Sequence, residues 1–535
     1  MVIVGAGFAG LYQLHRARGL GLDAQVVEAG GDVGGTWYWN RYPGARCDVE
    51  SMEYSYSFDE ALQQEWEWTE RYAGQPEILR YAGHVADRFA LRDGIRFDTR
   101  VAAATFDEDR DRWVVDVVPE PGTADGDDAL PASYDCQFLV MATGCLSSAM
   151  VPAIPGAESF TGATFHTGRW PHEGVDLTGQ RVGVIGTGSS GIQAIPLIAQ
   201  EAAELTVFQR TAAYTVPARN GPLDPAEAAA IKADYAALRE ANRQMPVAFG
   251  SRIARRDVGA LAVDEADRQA EYDARWERGG FTFLGSFNDL FLDRDANATA
   301  ADYVRDKIRT LVHDPEVAER LVPDQVIGCK RLCIDTGYYD TFNQPHVTLV
   351  DVTETPIEAI TPTGIRTTAG EHPLDVIVFA TGFDAMTGAL LRIDVRGRGG
   401  VALRDAWAAG PRTYLGLGVA GFPNLFTVTG PGSPSVLTNM IVSIEHHVEW
   451  ISACVEHLRD RGLRTIEADP DAQEAWVEHV NLVASFTLFP KCNSWYLGAN
   501  VPGKTRVFMP LPGFPEYRAQ CEDVAADGYR GFALA

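Results

Sequence analysis

Two glycine-rich turns constrain this 535-residue chain more than any other feature. The first, Gly5-Ala6-Gly7-Phe8-Ala9-Gly10, follows the apolar stretch Val2–Val4, and the second, Gly186-Thr187-Gly188-Ser189-Ser190-Gly191, follows Arg181–Ile185. Each has the spacing of a strand–turn–helix unit whose backbone approaches a pyrophosphate at the helix N-terminus. One such turn is weak evidence, but two, each followed by a helical pattern and a second strand, predict two dinucleotide-binding, Rossmann-like domains in an α/β fold.

The first unit carries an acidic residue at the end of its second strand. Glu28 follows the apolar residues 24–27, at the distance from Gly10 expected for a ribose contact. A carboxylate there accepts hydrogen bonds from ribose hydroxyls and repels a 2′-phosphate. The first site is therefore predicted to hold FAD or NAD and not NADP, unless Glu28 merely ends a strand.

The second unit has a basic residue at the corresponding place. Its second strand, residues 205–208, is followed by Gln209-Arg210-Thr211. A planar guanidinium pairs well with a phosphate. Arg210 and Thr211 thus predict a site that accepts the 2′-phosphate of NADPH, the alternative being a surface arginine at a strand end.

A dense aromatic run follows Glu28. Residues 34–48 contain paired glycines, Gly34-Gly35, then Thr36-Trp37-Tyr38-Trp39 and finally Arg46-Cys47-Asp48. An aromatic stripe is usually core packing. Its place directly after the first unit's second strand favours a chain wrapped around a planar ring system, and hence a flavin.

Domain limits follow from two strands with the same ending. Residues 138–144 and 376–382 both finish in Ala-Thr-Gly, and such small, sharp turns suit crossings between nested domains. Between them, residues rich in Ala, Glu, Asp and Arg at helical spacing indicate a helical insertion. The predicted units are an FAD-binding domain (1–148 and 384–535), an NADP-binding domain (149–220 and 325–383) and the insertion (221–324).

Composition excludes several other classes of protein. The formal net charge of -27 argues against nucleic acid as a partner. We find no apolar run of ~18 residues that could span a membrane. The eight cysteines include no C-x-x-C pair, which disfavours a disulfide framework, a zinc site and a dithiol redox centre. A monomer in the reducing cytoplasm, without a metal, is the expectation.

The most specific motif lies between the two units. Residues 160–171 read F-x-G-x-x-x-H-x-x-x-W-P, with His166, Trp170 and Pro171 at its fixed positions. With this motif the chain resembles the class B flavoprotein monooxygenases of the Baeyer–Villiger type over nearly its whole length. Related flavin monooxygenases and N-hydroxylases carry an aromatic residue and lysine where Trp170-Pro171 stands. From the residues alone, His166 could be a satisfied linker histidine, and the resemblance implies a mainly conformational role.

The resemblance implies an activity. It is the NADPH- and O2-dependent conversion of ketones to esters or lactones through a C4a-peroxyflavin, with bulky aryl, cyclic or steroid-like ketones as expected substrates. It also implies that Arg331 and Asp48 are catalytic, because a fixed cation stabilises the anionic peroxide and the tetrahedral oxyanion. Lys330 and Arg210 are expected to share the 2′-phosphate, and residues 492–510, with Trp495, to close over the nicotinamide.

Residues around 435–437 and Met440 are expected to line the ketone pocket by the same resemblance. The turn 429–439 before the helix predicted at 442–458 either faces the flavin pyrimidine or is only a packed turn. The residues expected to contact FAD or NADP are Gly5, Gly7, Phe8, Ala9, Gly10, Glu28, Gly35, Thr36, Trp37, Tyr38, Trp39, Arg46, Cys47, Asp48, Val49, Tyr54, Val101, Ala142, Thr143, Gly144, Met440, Gly186, Thr187, Gly188, Ser189, Ser190, Gly191, Arg210, Thr211, Lys330, Arg331 and Trp495.

The sequence leaves two other functions open. A flavin monooxygenase that oxygenates N or S atoms shares both glycine turns, but Trp170-Pro171 and Arg331 disfavour it. A non-catalytic dinucleotide-binding or redox-sensing protein is disfavoured by the combination of intact turns with Arg331 and Asp48.

Overall fold

The computed structural model describes residues 1–121, 131–499, 501, 503 and 513–535. The strands are β1 (Val2–Val4), β2 (Gln25–Val27), β3 (Ile95–Arg96), β4 (Thr99–Asp107), β5 (Arg112–Pro119), β6 (Ser133–Cys136), β7 (Leu139–Met141), β8 (Ala163–His166), β9 (Arg181–Ile185), β10 (Glu204–Gln209), β11 (Thr215–Pro217), β12 (Cys333–Asp335), β13 (Val347–Asp351), β14 (Ile357–Thr361), β15 (Gly364–Thr367), β16 (Gly370–Pro373), β17 (Val376–Phe379), β18 (Asp394–Arg396), β19 (Leu425–Thr427), β20 (Ile466–Ala468) and β21 (Phe532–Leu534).

The helices are α1 (Phe8–Gly19), α2 (Thr36–Trp39), α3 (Glu60–Glu65), α4 (Gln75–Arg88), α5 (Ser189–Glu201), α6 (Pro225–Ala233), α7 (Tyr235–Arg243), α8 (Glu265–Arg278), α9 (Arg294–Leu311), α10 (Pro315–Leu321), α11 (Tyr338–Thr341), α12 (Gly388–Leu391), α13 (Leu403–Ala406), α14 (Met440–Arg461), α15 (Pro470–Ser485) and α16 (Phe514–Ala526). No helix in the described ranges is long and apolar enough to cross a membrane.

Two five-stranded parallel sheets form the centre of the molecule. The first has the order β19-β7-β1-β2-β3 and the second the order β13-β10-β9-β17-β8. Their central strands are almost wholly buried and apolar, as expected when both faces of a parallel sheet are covered. The prediction of two nested Rossmann-like domains is confirmed, because β19 returns to the first sheet after the chain has built the second.

The chain crosses between the sheets twice, after β7 and after β17. The two crossing segments lie side by side, since the Met150 N–H donates to the Gly382 carbonyl (3.0 Å) and the Asp384 N–H to the Ser148 carbonyl (2.8 Å). The Ala-Thr-Gly endings of the two strands therefore open onto one shared boundary. At this boundary a side chain of one domain can contact residues of the other domain.

Smaller elements surround the two sheets. An antiparallel sheet, β18-β4-β5-β6, and a three-stranded sheet, β14-β15-β16, are added to the parallel ones. The segment 119–133 joins β5 to β6, and its residues 122–130 lie outside the described part of the chain. The predicted helical insertion is confirmed as α6–α10, in which Asp224, Asp264, Asp293 and Asp314 accept N-cap hydrogen bonds.

One disulfide is present that the cysteine spacing did not indicate. Cys329 and Cys492 form it, with Cα atoms 6.1 Å apart and a sequence separation of 163. Cysteine spacing reveals local C-x-x-C motifs, whereas this pair is brought together only by the fold. The other six cysteines are free and buried.

Candidate active site

The first glycine turn allows atoms to approach more closely than any side chain would permit. Gly5 has φ +104°, and a Cβ on it would lie 2.7 Å from the Ala142 carbonyl oxygen. A Cβ on Gly10 would lie 1.8 Å from the Gly5 carbonyl oxygen, so α1 packs directly against the turn. Ala142, Thr143 and Gly144 are thus brought against the first turn at the end of β7.

The second turn repeats this geometry. Gly186 has φ +108°, and a Cβ on it would lie 2.5 Å from the Ala380 carbonyl oxygen, while one on Gly191 would lie 2.3 Å from the Gly186 carbonyl. Ser189 and Ser190 form the first residues of α5. By contrast, a Cβ on Gly188 would meet nothing within 4 Å, so the space in front of the helix is open.

Both helices that follow these turns lack a side-chain cap. The N-cap residues Gly7 and Gly188 offer no acceptor to α1 and α5, whereas the insertion helices begin with Asp caps. The first N–H groups of a helix need an acceptor, and the helix dipole favours an anion there. The uncapped helix N-termini therefore fit the two pyrophosphates of FAD and NADP.

Glu28 binds the first turn to its strand end. Its carboxylate accepts the N–H groups of Ala6 and Gly30, each at 2.6 Å. The side chain is buried, and burial raises its pKa despite these two hydrogen bonds. A carboxylate held here by the backbone leaves no room for the negative charge of a 2′-phosphate.

The second site has two cations at the same place. Lys330 lies close enough to Arg210 that burial and this neighbouring charge both lower the Lys330 pKa. Neither side chain forms a salt bridge with a carboxylate in the described ranges. The Thr187 hydroxyl donates to the Thr211 carbonyl (2.9 Å) and so holds the strand end against the glycine turn. Two unneutralised cations fit a 2′-phosphate.

Arg331 and Asp48 meet at the boundary between the two domains, although 283 residues separate them. The Arg331 Nε–H and Nη2–H donate to the two Asp48 carboxylate oxygens at 2.5 and 2.7 Å, a bidentate pair. The Nη1–H donates to the Val436 carbonyl at 2.8 Å. Burial alone lowers the pKa of Arg331, but Asp48 and then Tyr496 outweigh it, and the pKa stays well above its ordinary value. The guanidinium is therefore a permanently charged, rigidly held donor.

Two aromatic neighbours of Arg331 were not among the predicted site residues. The guanidinium carbon lies 5.0 Å from the centre of the Phe281 ring. The second is Tyr496, which is buried and lies close enough to Arg331 to help raise the pKa of the guanidinium. It directly follows the predicted Trp495, and the two rings lie 4.3 Å apart. The motif around Trp495 pointed to this segment, but no local pattern indicates which aromatic side chain faces the cation.

The aromatic run connects the first turn with the second domain. A Cβ on Gly35 would lie 2.8 Å from the Gly7 Cα, so the run begins against the first turn. The Trp37 Nε1–H donates to the Tyr54 hydroxyl (3.2 Å). Further along, the Tyr42 hydroxyl donates to Gln193 of α5 (2.7 Å). The run therefore lies between the two dinucleotide sites, next to Asp48.

The remaining predicted residues are distributed around this centre. Arg46 is bound to Glu70 and to the Tyr72 carbonyl, so its charge is already paired. The Tyr38 hydroxyl accepts the Gly31 N–H (2.9 Å). The other positions are Phe8 and Ala9 in α1, Thr36 and Trp39 in α2, buried Cys47 and Val49 beside Asp48, Val101 in β4, and Met440 at the start of α14.

His166 and Trp170 are packed and satisfied. His166 is the last residue of β8, and its Nδ1 accepts the Gly168 N–H at 2.9 Å. Burial lowers its pKa, so the ring is neutral near pH 7. Trp170 is buried, with its ring 5.4 Å from that of Phe165. This geometry agrees with a conformational role for the motif.

Comparison with known proteins identifies relatives of the entire chain. A family model for pyridine nucleotide-disulphide oxidoreductases matches residues 2–233. The chain is 42% identical, over its full length and 98% of the relative, to a 2-oxo-Delta(3)-4,5,5-trimethylcyclopentenylacetyl-CoA monooxygenase of Pseudomonas putida. It is 43% identical, over 99% of its length and 95% of the relative, to a Baeyer–Villiger monooxygenase of Pseudooceanicola batsensis. It is also 41% identical, over its full length and 96% of the relative, to a phenazine N-monooxygenase of Lysobacter antibioticus.

Solved structures agree with this placement. An oxidised steroid monooxygenase bound to NADP superposes with a TM-score of 0.93 at 52% identity, covering 100% of this chain and 98% of the other. A complex of OTEMO with FAD and NADP superposes with a TM-score of 0.94 at 42% identity, covering 100% and 99%. Together with the two dinucleotide sites and the buried Arg331–Asp48 pair, these relationships show that the chain belongs to the Baeyer–Villiger monooxygenases, flavoenzymes that use FAD and NADP.

Proposed function

We propose that this enzyme uses NADPH and O2 to convert bulky aryl, cyclic or steroid-like ketones into esters or lactones. The observation that carries the proposal is the buried Arg331 guanidinium, held by Asp48 and the Val436 carbonyl at the boundary between the two dinucleotide sites. Bound FAD, reduced by NADPH, supplies the activated oxygen. The chain's own task is to hold the ketone and stabilise the charge that develops on it.

Arg331 is suited to that task because its orientation is set in advance. Attack on a ketone carbon places negative charge on the carbonyl oxygen. A preorganised donor at such an oxygen stabilises the transition state by ~3–4 kcal/mol. Asp48 holds the guanidinium plane through two hydrogen bonds, so little reorganisation is needed when the charge forms.

Most N–H donors of the Arg331 guanidinium are already used within the protein. A guanidinium has five N–H donors. Three of them donate to the Asp48 carboxylate and the Val436 carbonyl. We propose that an Nη N–H group not used in these three bonds faces the substrate oxygen. The Asp48 contacts then act as positioning bonds and this N–H as the catalytic one.

The substrate class is proposed from the surroundings of Arg331. Phe281, Val436, Leu437 and Met440 place apolar and aromatic surface around the guanidinium. The steroid monooxygenase among the similar structures supports a bulky ketone. The test is mass-spectrometric product analysis with NADPH over ketones that range from acetone to polycyclic compounds. A ketone that gains one oxygen as an ester supports the proposal, and NADPH oxidation without any oxygenated ketone contradicts it.

A second candidate is oxygenation of a ring nitrogen. One relative of the chain is named a phenazine N-monooxygenase, so family membership alone does not decide the atom that is oxidised. The same product analysis, with aromatic N-heterocycles added to the panel, separates the two activities. N-oxides formed faster than esters would favour the second candidate.

We further propose that the enzyme works as a monomer in the cytoplasm. The net charge of -27 supports a dispersed, hydrophilic protein. We also propose the domain limits 1–148 with 384–535 for FAD, 149–220 with 325–383 for NADP and 221–324 for the insertion. The backbone hydrogen bonds at Ser148 and Asp384 support a crossing at these positions.

A further inference from the structure

We propose that the Cys329–Cys492 disulfide is a redox-controlled clamp that holds segment 492–499 against Arg331 and so controls how long oxidised NADP stays bound. The clamp is this pair of cysteines, whether bonded or reduced. The proposal rests on the proposed function, because it assumes that Lys330 and Arg331 serve NADP and the ketone.

The clamp joins the two parts of the chain that matter most for the reaction. Cys329 directly precedes Lys330 and Arg331. Cys492 caps the 3-10 turn Phe489–Lys491 and lies three residues before Trp495. Both cysteines are buried, 1% and 6% exposed. A bond between them therefore fixes the start of the Trp495–Tyr496 segment beside the catalytic cation.

Non-covalent packing also connects the residues that flank the two cysteines. The rings of Phe291 and Phe489 stack with centres 5.6 Å apart, and the Leu488 N–H donates to the Phe291 carbonyl (2.9 Å). Gly328, with φ +85°, lies against the same ring, where a Cβ would be 2.7 Å from it. Phe291 thus holds the neighbours of both cysteines, so a reduced pair stays poised to reoxidise.

Beyond Cys492 the segment combines local backbone hydrogen bonds with packing of Trp495 and Tyr496 against the apolar cluster around Val436. The N–H groups of Leu497, Gly498 and Ala499 donate to the carbonyls of Ser494 and Trp495. Tyr496 provides the contact with Arg331. When the disulfide is reduced, segment 492–499 keeps this one polar contact to the arginine but loses its covalent anchor, and its closed arrangement should become less populated.

The oxidant is hydrogen peroxide, which the enzyme itself releases when activated oxygen is not passed to a ketone. One thiolate attacks a peroxide oxygen, the O–O bond breaks, and a sulfenic acid and water form after protonation. The second thiol attacks the sulfenic sulfur, an S–S bond forms and a second water leaves. In total, two thiols and one H2O2 give one disulfide and two waters.

This arrangement makes the clamp responsive to uncoupling. A reduced clamp releases oxidised NADP sooner, exposes the site to water and yields H2O2, which closes the clamp again. In the cytoplasm the thiol pool supplies the opposing reaction, reduction by thiol–disulfide exchange. The pair therefore connects the cellular redox state with the retention of NADP.

The first experiment asks whether the bond forms. Purified FAD enzyme is treated with H2O2 or with dithiothreitol, free thiols are alkylated under denaturing conditions, and unreduced peptides are identified by mass spectrometry. We expect the Cys329 and Cys492 peptides to be linked after peroxide and separate after dithiothreitol. If both cysteines are alkylated after peroxide treatment, the proposal is overturned, whatever the enzyme does with ketones.

The second experiment measures NADP binding, a readout independent of ketone oxidation. We expect reduction to raise the Kd for NADP+ about tenfold, as when the closed arrangement falls to roughly one-tenth occupancy. Cys492→Ser and the double variant Cys329→Ser/Cys492→Ser should both show the raised Kd and no response to reductant. Cys454→Ala, which removes a buried cysteine of α14 outside the site, should respond like wild type. An unchanged Kd on reduction, or variants that still respond, would overturn the clamp.

Discussion

The two dinucleotide sites share one backbone design and differ at a single place. Both have a glycine turn with positive φ at its first residue and an uncapped helix. At the strand end, the first site has the buried Glu28, bound to Ala6 and Gly30, and the second has the exposed Arg210. The backbone therefore supplies the pyrophosphate site, and one side chain decides between a free ribose and a 2′-phosphate.

The sites also differ in where their charged groups come from. The Glu28 carboxylate interacts with residues of its own βαβ unit. The second site adds Lys330, which lies beyond the entire helical insertion in sequence. A site made from neighbouring residues is readable as a motif, whereas one completed by a distant lysine needs the tertiary structure. Substitutions at each site, and at Arg331 where the two sites meet, test this difference, and Arg331 should give the largest effect.

Arg331 lies where the two sites meet, so its loss should disable oxygen transfer while leaving both sites formed. Arg331→Ala should lower ester formation by about 10²–10³-fold, the effect of removing one oxyanion donor. FAD binding should survive, and consumed NADPH should be recovered as H2O2. Arg331→Lys should rescue little, because an ammonium cannot make the bidentate pair with Asp48. NADPH loss, peroxide and ester are measured in the same reaction. If Arg331→Ala still converts most of the consumed NADPH into ester, Arg331 is not part of the mechanism.

Glu28 tests the first site alone. Glu28→Ala leaves the Ala6 and Gly30 N–H groups without their acceptor, at a cost of roughly 1–3 kcal/mol for each buried group. We expect purified protein with little FAD and a weakened FAD Kd by titration of the apoprotein. Glu204→Ala, at the exposed start of β10, is the matched control and should retain FAD. Full FAD occupancy in Glu28→Ala would contradict the role assigned to the carboxylate.

Arg210 tests the second site in the same way. Arg210→Ala should weaken NADPH by ~1.5–3 kcal/mol, about ten- to hundredfold, and leave NADH nearly unchanged. Only NADPH carries the 2′-phosphate that the cation pairs with. Kinetic constants for the two coenzymes give the selectivity, with Arg219→Ala, an exposed arginine of the same domain, as control. Equal losses for both coenzymes would show that Arg210 does not bind the 2′-phosphate.

A second buried glutamate, Glu53, links the stability of the fold to pH. Burial, reinforced by Glu50, raises the Glu53 pKa to about 7, although the carboxylate accepts the Gly250 N–H (2.9 Å). A raised carboxyl pKa stabilises the fold fully below the ordinary value near 4.5, and this contribution is lost as pH rises through 7. Glu53→Gln cannot ionise and so does not lose this contribution. Its free energy of unfolding relative to wild type, measured by denaturant titration, should therefore rise between pH 5 and pH 8 by about 1 kcal/mol or more. A difference that is constant over this range would contradict the shifted pKa.

Several elements were predictable because their signals are local. The strand predicted at Arg181–Ile185 has the same bounds in the structure, and the strand predicted within 376–382 covers Val376–Phe379. The helix predicted at 442–458 extends to Met440–Arg461. Buried apolar runs, glycine turns and strand-end charges each lie within one βαβ unit. For the same reason both cofactors followed from the sequence.

Local sequence patterns were sufficient for the two nucleotide units, for the charge that distinguishes them and for the family motif. Other features depend on how the chain folds. The tertiary structure decided that Arg331 meets Asp48 across 283 residues, that Tyr496 and Phe281 complete its surroundings, and that Cys329 pairs with Cys492. Side-chain partners at such separations leave no periodic pattern in the chain, because their distance is set by how two sheets and an insertion pack together and not by local backbone geometry.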